Sequence, residues 1–347
     1  MKKNKLSSIK FKPLLMLGLV AVLQSCEQRD DWPHFDSEAL TPTPPPKEEV
    51  DLNKTWYTET LESKGNTMFK RFVQDTVYKL HDGIEYTILR FVDGLDQYQK
   101  FHIIEADLNN PKIGITSMSA YGMALPNLQN LSNMTKDSEG KPGKIIAAIN
   151  GDNIASNSTN AYGMPASGFV YNGKIMKAIA NTTANIVKPY LGIKRNGEIV
   201  FGNSPSTATH PVEWIDQSEF EHQVFGLNFV VYGTWNNTAN TDMISRSVVG
   251  INENENKIYF VVGDAHQTAI ARGMGLPNIA RIVRDLGITK AFLTNNSLYS
   301  QLVIRKEQTF NGLLDISFPL ANLPMPYSGT GANTPATMAN GIAIYVK

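Results

Sequence analysis

Two carboxylates and one guanidinium stand where apolar runs stop or start. Asp152 ends the run 144–149 through Asn150-Gly151, and Asp264 follows the run 257–262 through Gly263. Carboxylates at strand ends can activate water or balance a developing positive charge. Arg246 opens Arg246-Ser247-Val248-Val249-Gly250, and a planar guanidinium fork suits phosphate oxygens. His266, two residues beyond Asp264, is a candidate acid–base group. Each has a plainer alternative. Asp152 after Asn-Gly is a turn closer, Asp264 a loop cap, Arg246 a strand-edge arginine and His266 a loop histidine. Asp107 reads as the end of a strand bonded to backbone.

The elements that must position these residues are mostly strands. Residues 72–78, 86–92 and 101–108 are rich in β-branched and aromatic side chains, with Asp93-Gly94 offering a turn. Residues 111–118 add a short strand, and 144–149 read as a buried one. Asn172-Gly173 between strand-like runs predicts a tight hairpin, and Arg195-Asn196-Gly197-Glu198 predicts another. Strand 257–262 leads to a helix from Pro277 to Gly287, whose Leu276, Ile279, Val283 and Leu286 share one face. Residues 289–294 follow as a strand. A strand–helix–strand unit is usually a parallel crossover, and parallel strands end on one sheet edge. Asp264 and the Asn295-Asn296 loop are therefore expected as neighbours at a ligand-binding edge. Asp152, Arg246, Asp264 and Asn295 are expected to line one cleft. The expected class is α/β, mixed α+β: mixed sheets with flanking helices.

Composition narrows the function. Lys and Arg number 32 against 32 Asp and Glu, so no charge excess argues for nucleic acid. The six histidines (His34, His81, His102, His210, His222, His266) show no metal-ligand spacing. Walker loops, Gly-x-Ser-x-Gly elbows and HExxH helices do not occur. No metal and no cofactor is implied. Cys26 is the single cysteine, so disulfides and thiolate sites are excluded once it is modified. It follows Lys2, Lys3 and Lys5, then an apolar stretch 14–23 too short to span a bilayer, then Leu23-Gln24-Ser25. That ending resembles a lipobox. Residues 1–25 are expected as a lipoprotein signal peptide, with lipid on Cys26. Residues 26–52, with Thr41-Pro42-Thr43-Pro44-Pro45-Pro46, are expected as an extended tether. Glu27, Asp30 and Asp31 resemble a surface-export signal, so the expected location is the bacterial outer membrane, periplasmic or surface-exposed. Residues 53–347 form the expected single domain.

The order of the motifs resembles the phosphodiester glycosidase family from about Tyr86 to Val346. The carrying segments are Glu105-Ala106-Asp107-Leu108, Ala147-Ala148-Ile149-Asn150-Gly151-Asp152, 168–174, Arg246-Ser247-Val248-Val249-Gly250 and 261–286. The resemblance implies hydrolysis of a sugar-1-phosphodiester in a cell-envelope or host glycan. Asp152, Asp264 and His266 would be catalytic, and Arg246 would clamp phosphate. Asn150 would hold a sugar hydroxyl, and Gly151 would let backbone approach the ligand. Asn295, Asn296 and Ser300 would complete the substrate loop. That loop departs from the family's Asp-Gly-Gly-x-Ser pattern: Asn295 replaces the acid, and Asn296 and Ser297 replace glycines. A non-catalytic glycan-binding lipoprotein on the same scaffold is the alternative.

Overall fold

A computed structural model describes residues 54–65, 68–155, 163–179, 188–203, 216–232, 235–236, 240–266, 270–310, 313–322 and 335–347. The residues expected to form a signal peptide and a tether, with Cys26, lie outside the described residues. Residues 53–347 form one compact unit. Among the described residues the α-helices are α1 (Trp56–Ser63), α2 (Leu131–Ser138) and α3 (Leu276–Asp285). The strands are β1 (Arg71–His81), β2 (Ile84–Val92), β3 (Tyr98–Asp107), β4 (Ile113–Ser119), β5 (Gln129–Asn130), β6 (Lys144–Asn150), β7 (Phe169–Tyr171), β8 (Lys174–Lys177), β9 (Pro189–Lys194), β10 (Ile199–Asn203), β11 (Phe220–Phe225), β12 (Asn228–Tyr232), β13 (Trp235–Asn236), β14 (Arg246–Asn252), β15 (Lys257–Gly263), β16 (Lys290–Asn296), β17 (Leu302–Ile304), β18 (Lys306–Phe310), β19 (Leu313–Ser317), β20 (Thr337–Met338) and β21 (Asn340–Val346).

Local chemistry explains the sharpest features. The β7–β8 turn carries Asn172 at φ 49° and Gly173 at φ 67°, the pair of left-handed residues that a tight hairpin needs. The β9–β10 turn closes at Gly197, φ 89°. Helix α3 starts with proline in its first turn and stops before Gly287, φ 82°. It buries Leu276, Ile279, Ala280, Ile282 and Val283.

The main sheet has eight strands in the order β1-β2-β3-β15-β14-β16-β12-β13. A second sheet runs β17-β6-β21-β4 and a third β10-β9-β11-β7-β8. The strand–helix–strand expectation holds in direction but not in adjacency. β15 and β16 each pair antiparallel with β14, so they are parallel to one another with β14 between them. Both therefore end on one edge, separated by about 10 Å at a spacing of ~4.8 Å per strand.

The pleat divides the main sheet into two faces. Ile103, Val248, Tyr259 and Val261 pack with α3 side chains Ile279 and Val283. Ile104, Val249, Phe260 and Val262 turn the other way and pack with Ala147, Ile149, Ile342 and Ile344 of the second sheet. This inter-sheet core clamps the C-terminal ends of β6 and β16 against each other. Among the described residues no helix is long and apolar enough to cross a membrane.

Candidate functional site at the sheet ends

Strand β16 ends in an irregularity that sets up the site. Ser247 pairs with Asn295, whereas Val248 pairs with Leu293, so Thr294 is extra. Such a bulge re-aims neighbouring side chains. Thr294 Oγ1 donates to the Ser247 carbonyl and accepts from Asn150 Nδ2 at 3.2 Å. Asn150 Oδ1 in turn accepts from Gln301 N. Asn150 thus ties the end of β6 to the end of β16 and to the chain entering β17. It is fully buried and spent on protein partners, so its expected role with a sugar hydroxyl is replaced by a structural one.

Asp264 sits on the inter-sheet face beyond β15. Its Oδ2 lies 3.1 Å from His102 Nε2 and 3.6 Å from Lys100 Nζ. The Tyr86 hydroxyl is 2.6 Å from His102 Nδ1. Burial, reinforced by the Asp264 charge, holds the Tyr86 phenol well above its ordinary pKa. Tyr86 therefore stays protonated and donates to Nδ1, which leaves the Nε2 proton for Asp264. The histidine coupled to Asp264 is His102, not His266. His266 is exposed and sits in the left-handed region at φ 64°. The signal for His102 was present: it shares strand parity with Ile104 and Ala106, so a polar ring occupies a core-facing position.

Arg246 is the main correction. It pairs with Gly263 and Asn296, one residue out of step with Ser247, so it points to the helix face with Val248. Its Nε donates to Met274 O, and its Nη2 donates to Asn240 Oδ1 and Asp242 O. Burial pulls the guanidinium below its usual pKa, opposed by Asp242. It braces two loops and does not share the Asp264 face. Asn296, paired with Arg246, shares the helix face. The cation beside Asp264 is Lys100.

Asp152 is fully buried. Its oxygens accept from Asn153 N at 2.7 Å and from Ser167 N at 2.6 Å, while Lys177 Nζ donates to Pro165 O and Ala166 O. The carboxylate holds the two ends of the loop after β6. Burial pushes it up to about 6 against the lowering effect of those amides and of Lys188. Gly151 is also corrected. A Cβ there would meet Asn340 Oδ1 at 2.2 Å, so the close approach that it permits is to Asn340, not to a ligand. Asn340, which no local sequence pattern marks, accepts from Asp152 N through that same oxygen.

Seven of the fourteen buried polar side-chain atoms without a hydrogen-bond partner among the described residues fall on three short segments at this end. Ser245 Oγ, Arg246 Nη1, Ser247 Oγ, Asn295 Nδ2, Ser300 Oγ, Gln301 Oε1 and Asn340 Nδ2 are buried with no hydrogen-bond partner among the described residues. Buried polar atoms are almost always paired, so a concentration of unpaired ones asks for a polar occupant. Ser247 and Asn295 are directly paired and present theirs on the Asp264 face. No group of three or more His, Cys, Asp or Glu side chains among the described residues is arranged to hold a metal ion.

Comparison with known proteins bears on the family and the fold. A family model described as phosphodiester glycosidase matches residues 143–293. That span contains Asp152, Arg246 and Asp264 and stops just short of the altered loop at Asn295. The fold is similar to the catalytic domain of zebrafish N-acetylglucosamine-1-phosphodiester alpha-N-acetylglucosaminidase, auto-inhibited by its pro-peptide, with a TM-score of 0.53 and 16% identity over 79% of this chain and 88% of that one. It is also similar to a hypothetical protein from Synechocystis, with a TM-score of 0.52 and 10% identity over 79% of this chain and 64% of that one. No curated protein matches the chain in sequence.

Proposed function

We propose that this protein is a lipid-anchored, phosphodiester glycosidase-like hydrolase acting on a sugar-1-phosphodiester of a cell-envelope or host glycan. The observation that carries the reading is the meeting, at one sheet end, of the Asp264–His102 pair with unpaired buried polar atoms of Ser247 and Asn295. The family match over residues 143–293 supports the reaction class.

The chemistry follows from the charges. Water adds to the anomeric carbon as the bond from that carbon to the phosphate oxygen breaks; the phosphate leaves as an anion, and the added water gives up its proton to solvent. The positive charge that develops on the sugar is balanced by Asp264. His102 donates to Asp264 and fixes its orientation, with Tyr86 fixing the ring. The leaving phosphate is a weak base and needs a cation more than a proton, which Lys100 supplies. Ser247 and Asn295 bind sugar hydroxyls. Asp152 is a positioning residue that holds the loop after β6 in place. Cys26 carries the lipid, and the domain faces away from the cytoplasm at the outer membrane.

Hydrolysis of an N-acetylglucosamine-α-phosphodiester tests the reading. Asp264→Asn is expected to lower turnover roughly 10³-fold, because charge is removed and shape is kept. Lys100→Ala should lower turnover on the phosphodiester more than it weakens binding of the neutral sugar. Cys26→Ala should abolish lipid labelling and release the chain from membranes. A second reading, a glycan-binding protein without turnover, is favoured by Asn295, which carries no charge where the family pattern has an acid. Binding without hydrolysis in the unaltered chain selects it, and absence of both removes both readings.

A further inference from the structure

A second cleft lies away from the sheet ends. It opens between the edge strand β4, the turn that follows α2, and the β7–β8 and β9–β10 hairpin turns, with a volume of about 390 Å³. That volume falls within the ~300–1,000 Å³ range of small-ligand sites. Tyr345, in its wall, is five residues along β21 from Asn340 at the candidate site. Five residues of strand span roughly 17 Å.

The floor is a polar network built into the fold. The His222 ring lies 2.9 Å from Ser117 Oγ through Nδ1 and 3.2 Å from Thr116 Oγ1 through Nε2. Burial pushes its pKa down to about 4, so at neutral pH the ring is an uncharged donor and acceptor. Ser117 and Thr116 are almost wholly buried, and Tyr171 packs beside the ring at 6.0 Å. Ser138 Oγ also lines the cleft and is buried with no hydrogen-bond partner among the described residues. A pre-positioned neutral network with one unpaired hydroxyl suits a ligand rich in hydroxyl groups.

The rim has a different character. Lys141 donates to the Gly122 carbonyl, and Arg195 donates to the Ser218 and Gly173 carbonyls. Neither has a carboxylate within ion-pair distance among the described residues, whereas Lys194 is paired with Glu198 at 3.0 Å. Glu221 is the one carboxylate in the lining. Lys141 and Arg195, neither ion-paired among the described residues although Glu221 Oε2 and Arg195 Nη2 both approach Gly173, stand over a hydroxylated floor and match an anionic group attached to a polyol. Ile115 and Ile193 supply apolar wall for the C–H face of a sugar ring.

We propose that this cleft is a second binding site, for a saccharide unit that carries a phosphate or a carboxylate. The site stands independently of the hydrolase reading. Together with the sheet-end site it would let the domain hold one anionic glycan chain at two points.

Calorimetric titration of the purified full-length chain with glucose 1-phosphate, glucuronic acid, glucose and inorganic phosphate tests it. At least one of the two anionic sugars is expected to bind, and which one does separates phosphate from carboxylate as the recognised group. Lys141→Ala with Arg195→Ala should weaken that binding at least tenfold. Both side chains are exposed, and an unchanged melting temperature shows that the fold survives. Asp264→Asn should leave binding at this cleft unchanged even where hydrolysis is lost. An absence of binding by both anionic sugars, equal binding in the double variant, or inorganic phosphate binding as tightly as the sugar phosphate overturns the proposal. Failure of the unaltered chain to hydrolyse any phosphodiester would leave it intact.

Discussion

The two faces of the eight-stranded sheet are built from the same strands and end in opposite chemistry. On the helix face, Arg246 is wholly buried, and its Nε and Nη2 are bonded to loop oxygens. One residue further, on the inter-sheet face, Ser247 Oγ is equally buried and bonded to nothing among the described residues. Successive residues of a strand point to opposite sides, so neighbours in sequence serve different masters. On the helix face Arg246 spends its Nε and Nη2 on loop carbonyl and amide oxygens and acts as a brace. The inter-sheet end, where Asp264, His102 and Asn295 gather, keeps unspent hydrogen-bonding capacity.

Substitutions on the two faces should therefore separate stability from ligand binding. The largest effect is expected from Arg246→Ala. It removes a big buried side chain and its three hydrogen bonds to Met274 O, Asn240 Oδ1 and Asp242 O, a loss on the order of 3–5 kcal/mol in chemical denaturation. A variant that stays as stable as the parent yet loses phosphodiester affinity would move Arg246 back to the ligand.

Next comes the pH dependence of Asp152. Its folded pKa is raised to about 6 by burial, above an unfolded value near 3.9. The folded state therefore holds the proton more tightly, and the ionised carboxylate costs stability. That cost is absent below pH ~4, grows as pH rises and is complete above pH ~6. A two-unit shift corresponds to about 3 kcal/mol. Asp152→Asn cannot ionise, so its stability relative to the parent should climb by about that amount between pH 4 and 7. A flat difference across that range would show that Asp152 is not held as described.

A smaller gain is expected at Ser297, which sits at φ 59° where the family pattern has glycine. Ser297→Gly should relieve left-handed strain and raise stability by about 0.5–1 kcal/mol, the benefit being trimmed by glycine's freer unfolded chain. The smallest stability effect belongs to Ser247→Ala, expected within ~0.5 kcal/mol because its hydroxyl has no partner to lose. The same variant should weaken sugar binding. If it destabilises as Arg246→Ala does, the contrast between the faces fails.

Much of the scaffold was legible from short-range signals. Asn172-Gly173 and Gly197 marked hairpins because they supply positive φ, and Pro277 and Gly287 bounded α3. Strand 144–149 and its end at Asn150 followed from an unbroken apolar run. The site was legible in part. Asp264 and Asn295 were expected on one edge, and the register places their strands' ends there, although with β14 inserted between them. Arg246 also stands at a strand terminus, and terminus alone does not say which face a side chain takes. His102 and Asn340 were missed as partners because they lie 162 and 188 residues from Asp264 and Asp152.

The sequence by itself determined where strands and turns begin and end, since apolar periodicity and backbone preferences act over a few residues. It also determined that no disulfide stabilises the domain, since its one cysteine is Cys26. Only the tertiary structure decided that His102 and Lys100 rather than His266 and Arg246 attend Asp264, that Asn150 joins two sheets, and that Gly151 makes room for Asn340. Those outcomes depend on register and on which face of the pleat meets the second sheet. A shift of one residue reverses every side chain, and such a choice is settled by packing between distant segments rather than by any local pattern.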